Sequence, residues 1–160
     1  MKKTLITFAL LIMGAGTWAQ SNSADETAIK KVLEMETDAA NNRDYERWID
    51  CFAKTPDVAF GFTSLLPTYM LRNYDKLAEF GKIFFRDNPV SSTDSFEFSD
   101  FQIRINGTSA FVTYLQTNTN KDGTKERYHK GEYLEKIEGE WKMIGHLFAQ
   151  EPQAATGAGN

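Results

Sequence analysis

Hydrophobic positions along the chain follow two successive rhythms. In the first half Ile29, Val32, Leu33 and Ala40 recur at helical spacing, which predicts an amphipathic helix over residues 25 to about 41. Ser23 and Glu26 sit three apart at its start and fit a capping box. Asn41, Asn42 and Arg43 end that helix, and Asp44 caps a short second one whose apolar face is Tyr45, Trp48, Ile49 and Phe52. A turn at Thr55-Pro56-Asp57 leads to a short strand over 58–62, and Pro67 closes the loop after it. Asn73 caps a third helix, 74–86, with Leu77, Phe80, Ile83 and Phe84 inward, stopped at Asp87-Asn88-Pro89. From Ser95 onward the period becomes two, and segments 96–105, 110–120, 124–137 and 140–149 read as strands. Asn106-Gly107, Asp122-Gly123 and Glu138-Gly139 separate them, residue pairs suited to the positive φ of tight hairpins. Helices first and a meandering antiparallel sheet second make an α+β fold with helices covering one sheet face.

Hairpin counting assigns the faces. Two-residue turns at Asp122-Gly123 and Glu138-Gly139 pair Lys136 with Trp141, Leu134 with Met143, Glu132 with Gly145 and Thr113, and Lys130 with Leu147 and Leu115. One face then carries Phe111, Thr113, Leu115, Leu134, Trp141, Met143 and Leu147, interleaved with Tyr128, Lys130 and Glu132. The other carries Val112, Tyr114, Tyr133, Ile144 and Phe148 with both histidines, His129 and His146, and is joined by Phe101, Ile103 and Ile105. A slip of one residue exchanges these faces. So apolar a second face predicts a partner.

The N-terminus adds location. Lys2 and Lys3, the apolar run LITFALLIM and the small residues around Thr17-Trp18-Ala19 are the three parts of a secretory signal in order. The apolar run is too short to span a membrane as a helix. The expected organisation is a signal peptide 1–19 cleaved after Ala19, a linker 20–24, one domain 25–150 and a small-residue tail 151–160. The product is expected in the periplasm or outside the cell, with no membrane association after cleavage. Losing Lys2 and Lys3 takes the formal charge from −4 to −6, and the remaining lysines are scattered, so nucleic acid is not an expected partner. Cys51 is the single cysteine, which leaves no internal disulfide and reads as a small buried hydrophobe between Ile49 and Phe52.

The segments 29–52 (IKKVLEMETDAANNRDYERWIDCF), 57–62 and the closing hairpin 133–148 (YLEKIEGEWKMIGHLF) resemble the nuclear transport factor 2-like superfamily. Within it they are similar to the SnoaL-like and calcium/calmodulin kinase association-domain-like branch. That resemblance implies a cone-shaped, cystatin-like roll, a pocket lined by the tryptophan-bearing sheet face, and a homodimer through the outer face. It implies no single chemistry, since the superfamily holds isomerases, cyclases, dehydratases, hydrolases and non-enzymatic modules.

Several polar residues become candidates on this frame. Glu132 and Lys130 point to the pocket or its mouth, either as a pair at the rim or as a pocket acid with a raised pKa. Glu36 follows Val32 and Leu33 along the apolar stripe, at the pocket border or at the stripe's wet edge. Tyr69 and Tyr128 are candidate ligand contacts, and Trp48 reads as core. Glu132 and Asp100 are the candidate catalytic bases; no isomerase triplet of base, tyrosine and protonated acid can be matched. Two histidines without an acidic or cysteine cluster do not make a metal site. With no phosphate loop or dinucleotide fingerprint, no cofactor is expected. The expected ligand is a small, mostly apolar molecule; the alternatives are an isomerase, cyclase or dehydratase using a pocket carboxylate, and a non-catalytic interaction module.

Overall fold

The computed structural model describes the backbone of residues 13–63 and 69–152, and the side chains of 23–63 and 70–152. Residues 1–12, Pro67 with its loop, the Tyr69 side chain and most of the 151–160 tail lie outside the described residues. Three helices and six strands follow in the order α1 (Met13–Asn42), α2 (Tyr45–Asp50), β1 (Ala59–Thr63), β2 (Tyr69–Arg72), α3 (Tyr74–Asp87), β3 (Thr93–Asn106), β4 (Ser109–Asn120), β5 (Lys125–Ile137) and β6 (Glu140–Gln150).

In the structure α1 begins well before the Ser23 cap expected from sequence. No proline interrupts it from Met13 onward, and extending an existing helix costs less than stopping it. Ser23 is therefore a mid-helix residue, its carbonyl accepting the Thr27 hydroxyl at 2.9 Å. The other end stops where expected. The Arg43 amide donates to the Ala40 carbonyl (3.3 Å) and the Asp44 amide to the Ala39 carbonyl (2.9 Å), the paired bonds of a Schellman turn. Arg43 occupies its left-handed position, φ 60°, where glycine is the usual residue. Asp44 then caps α2, its carboxylate accepting the Arg47 amide at 3.1 Å.

The sheet runs β2-β1-β6-β5-β4-β3 and is mixed rather than a pure meander. β1 lies parallel to β6, and β2, absent from the sequence reading, pairs antiparallel with β1. β2 has only four residues in register and no alternation signal long enough to read.

Two irregularities change the expected faces. The β4–β5 turn has three residues, Lys121-Asp122-Gly123, with Gly123 at φ 85°. The extra residue shifts the pairing by one, so Glu132 lies opposite Val112 and Lys130 opposite Tyr114. Between β5 and β6 the expected pairs Lys136–Trp141 and Leu134–Met143 form, but a bulge follows. Beyond it Glu132 lies opposite His146, and Lys130 opposite Phe148. The helix-covered face therefore holds Val112, Tyr114, His146 and Phe148, which counting had placed outside. Phe111, which counting had placed inside, is 51% exposed, and Leu147 is 49% exposed. Phe101, Ile103 and Ile105 also pack against the core rather than joining the outer face. The outer face keeps Tyr133 and His129 of the expected set and gains Phe111, Leu147 and Met70.

The core joins Ile29 and Leu33 of α1, Trp48 of α2, Leu77 and Phe85 of α3, and the inner sheet residues Phe60, Val112, Leu134 and Met143. Asp25 fastens α1 to the last hairpin by accepting from Lys136 Nζ at 2.7 Å and Trp141 Nε1 at 3.0 Å. These bonds lower the Asp25 pKa. Cys51 is fully buried, its thiol pushed up to about 12 chiefly by burial, and it is an inert part of the core.

Gly81 of α3 lies against the Trp48 ring, and a Cβ built there would stand 2.5 Å from Cζ3. Trp48 is held by the rings of Phe52, Phe60 and Phe85, so it has nowhere to go. Alanine gains up to about 1 kcal/mol in helix propensity over glycine, but overpacking costs about 1–3 kcal/mol. Gly81→Ala is therefore expected to lower stability in urea unfolding; a stabilised variant would show that Trp48 yields.

Candidate functional site

The curved sheet and the three helices enclose a cavity of about 320 Å³. Its floor is sheet: Gln116 and Asn118 from β4, Glu126, Tyr128 and Lys130 from β5, His146 and Phe148 from β6. Phe60 and Phe62 of β1 and Phe80, Phe84 and Phe85 of α3 form aromatic walls, while Glu36, Thr37, Ala40 and Arg43 close it from the α1 side. An apolar cavity with a few converging polar groups is the usual form of a small-molecule site.

The polar groups are tied into position. Glu36 is buried; its Oε1 accepts the Trp48 indole N–H at 2.9 Å and its Oε2 accepts the Thr37 hydroxyl at 3.2 Å. On the floor, Gln116 Nε2 donates to Asn118 Oδ1 at 2.7 Å. Tyr128 donates to Glu126 Oε2 at 2.9 Å, and burial followed by that carboxylate raises the phenol's pKa.

Beneath the floor lies a buried pair. Glu132 is 0% exposed and His146 is 1% exposed, with Glu132 Oε2 2.9 Å from His146 Nδ1. Neither atom has an aligned hydrogen bond, so this is a close polar approach rather than a formed bond. Tyr114 donates to Glu132 Oε1 at 3.3 Å. Burial pushes the Glu132 carboxyl up to about 8, against the opposing effects of the Lys130 charge and the Tyr114 bond. Burial, then Lys130, pushes His146 down to about 3. Both groups are thus neutral at pH 7, and a neutral pair avoids the desolvation cost of two buried ions. Phe60 stacks on the His146 ring, centroids 4.7 Å apart and planes within 6°.

Of the residues singled out from sequence, Glu36, Tyr128 and Lys130 line the cavity. Glu132 does not line it; it sits behind His146, fully buried rather than at a rim. Asp100 is a correction. It lies exposed at the β3 bulge between Ser99 and Gln102, φ 57°, bonded to the Ser99 hydroxyl and away from the cavity. Tyr69 has its backbone in β2, and its side chain is outside the described residues. The sequence reading missed Gln116 and Asn118, whose face depends on the β4–β5 turn, and His146, whose face depends on the β5–β6 bulge. His129 is exposed on the outer face beside Glu151 (2.8 Å), and among the described residues no group of three His, Cys, Asp or Glu side chains could hold a metal ion.

This roll, with its cavity between helices and a curved sheet, is matched by a known family over residues 29–148. The chain belongs to the SnoaL-like domain family. No curated protein matches it in sequence. Among solved structures, this SnoaL-like domain is similar to a Nostoc punctiforme protein of unknown function with a cystatin-like fold. There the TM-score is 0.69 at 16% identity, covering 82% of this chain and 95% of that one. A nuclear transport factor 2-like protein of unknown function from Pseudomonas putida gives 0.67 at 15% identity, covering 84% and 91%. A Parabacteroides distasonis protein assigned only provisionally as a ketosteroid isomerase gives 0.60 at 14% identity, covering 76% and 86%. At such identities these structures establish the α+β, cystatin-like fold.

The buried pair makes stability depend on pH in a calculable way. Between its ordinary 4.5 and about 8, Glu132 keeps its proton only when folded, so rising pH removes stability at up to roughly 1.4 kcal/mol per unit. His146 acts oppositely: between 6.5 and about 3 only the unfolded chain takes up its proton, so falling pH removes stability. The two slopes offset between 4.5 and 6.5, leaving Glu132 alone above 6.5. Glu132→Gln should therefore gain stability relative to the native chain as pH rises from 6.5 to 8. Urea unfolding at several pH values reads this; parallel curves for the two proteins would show that Glu132 is not neutral in the fold.

Proposed function

We propose that this SnoaL-like domain is a binding protein for a small, largely apolar molecule, acting as an exported homodimer. The cavity is the observation that carries the binding reading: about 320 Å³ of space, walled by phenylalanines and held open by buried polar bonds. The family resemblance supports it, since SnoaL-like domains commonly bind small molecules. An interaction module with a vestigial pocket would pack these aromatic rings into the space between them. A carboxylate-base enzyme is the weaker reading, because Glu132 is neutral and screened by His146 while Asp100 lies outside.

The dimer reading rests on the outer sheet face, where Phe111, Tyr133, Leu147 and Met70 are all exposed. Phe111 and Tyr133 are direct cross-strand partners, and Leu147 and Met70 flank Gly61. A two-fold pairing would bury this patch and close the assembly. Export rests on the N-terminal charge, apolar run and small residues, and makes Gln20 the first residue of the mature chain.

Titration with 2-naphthalenemethanol, a neutral aromatic probe, followed through tryptophan fluorescence, tests the cavity. Binding is expected, and Ala40→Phe, which fills the cavity from α1, should weaken it at least about ten-fold. Unchanged binding by that variant would place the probe elsewhere and defeat the reading. Protein recovered from the periplasm of an expressing bacterium should have an intact mass starting at Gln20 and sediment as a dimer, while Leu147→Glu should sediment as a monomer. A mass starting at Met1 would end the export reading, and a monomeric native protein would end the dimer reading.

A further inference from the structure

Lys130 lines the cavity floor with no acceptor from the described residues for its ammonium. It is 9% exposed, and its ammonium makes no hydrogen bond or ion pair among the described residues. Its nearest recorded partner is the Phe148 ring, 4.9 Å from Nζ to the centroid. An aromatic face attracts a cation but accepts none of the three N–H bonds an ammonium can donate. The carboxylates that line the cavity take their hydrogen bonds from neutral donors, Glu36 from Trp48 and Thr37 and Glu126 from Tyr128 and Gln150, and neither forms an ion pair with Lys130. Glu132 lies behind His146 rather than in the cavity.

A second cation stands on the α1 side. Arg43, set in its left-handed turn, donates to the Ala40 and Val90 carbonyls and lies over the Phe84 ring at 5.4 Å, with no carboxylate partner among the described residues; its Nε is buried without a hydrogen bond. The cavity thus combines aromatic walls with an unpaired ammonium on its floor. A neutral ligand offers that ammonium only an uncharged oxygen, a weaker partner than a carboxylate. Glu36 and Glu126 balance Arg43 and Lys130 in formal charge, so a dianion such as a phosphate monoester would leave two excess negative charges in the cavity and a monoanion only one. A monoanion with an apolar body gives Lys130 a charge-assisted bond at the smaller excess charge and suits the aromatic walls.

Building on the small-molecule reading, we infer that the natural ligand is an amphiphilic carboxylic acid. Its carboxylate accepts from Lys130 Nζ, and its aromatic or branched aliphatic body lies among Phe60, Phe80 and Phe84. The charge-assisted bond fixes which end of the ligand enters first, and the rings supply an apolar surface tolerant of its shape.

The experiment titrates the full chain with two probes of the same ring, 2-naphthoate and neutral 2-naphthalenemethanol, at pH 7 by calorimetry. Naphthoate should bind at least about ten-fold more tightly. Lys130→Met should remove that advantage, bringing the ratio of the two affinities to about one, and Lys130→Arg should restore most of it. Naphthoate binding no tighter than the alcohol, or equally tight in Lys130→Met, would overturn the inference while leaving the small-molecule reading in place. Failure of both probes to bind would overturn both. If Lys130→Met does not fold, Lys130→Gln carries the same comparison, and the ratio of the two probes on the native chain decides by itself.

Discussion

Where β5 meets β6, one bulge lets a single strand face the helices twice. Trp141 and Met143 point inward before it, His146 and Phe148 after it, and Ile144 and Gly145 take up the odd residue. An uninterrupted strand has period two, so it could have buried the tryptophan end or the histidine end but not both. The first half of β6 closes the core beneath α1, where Asp25 receives Trp141 and Lys136. The second half supplies the cavity floor and the partner for Glu132. The chain after α2 joins at this place: Met143 donates to the Cys51 carbonyl and accepts from the Ala53 amide. The helical layer is thus pinned where the strand changes face.

The cavity follows from that geometry. Rings from β1 and α3 stand around the gap between helices and floor without filling it. The polar groups inside are handled in two ways. Those whose partners the fold supplies, such as Glu36 with Trp48 and Thr37, are held by hydrogen bonds. The Glu132–His146 pair escapes the cost of buried charge by remaining neutral. Lys130 follows neither course: its ammonium faces the Phe148 ring and has no acceptor among the described residues.

Much of the architecture was legible from local patterns. Helical spacing and the caps at Asp44 and Asn73 located the ends of α2 and α3, because a cap bonds to amides only three residues away. The glycine turns located the β hairpins, and Glu36, Tyr128 and Lys130 were found as cavity residues from their place on an apolar stripe or face. The start of α1 was misread because Ser23 and Glu26 also suit a helix interior, and nothing upstream forces a stop. β2 was missed because its four residues form a strand only against β1.

Composition and periodicity alone determined the α+β class, the order of helices and long hairpins, the lack of any internal disulfide and the presence of ionisable groups on apolar stripes. The tertiary structure decided which stripe faced the cavity. An Asp-Gly pair suits both a two-residue and a three-residue turn, and a bulge is invisible in an alternating pattern, yet either one shifts register by a residue and reverses a face. That is why Val112, Tyr114, His146 and Phe148 went inward while Phe111 and Leu147 went out. Register is settled by the sum of packing across all the strands and helices, a quantity no local stretch of sequence contains.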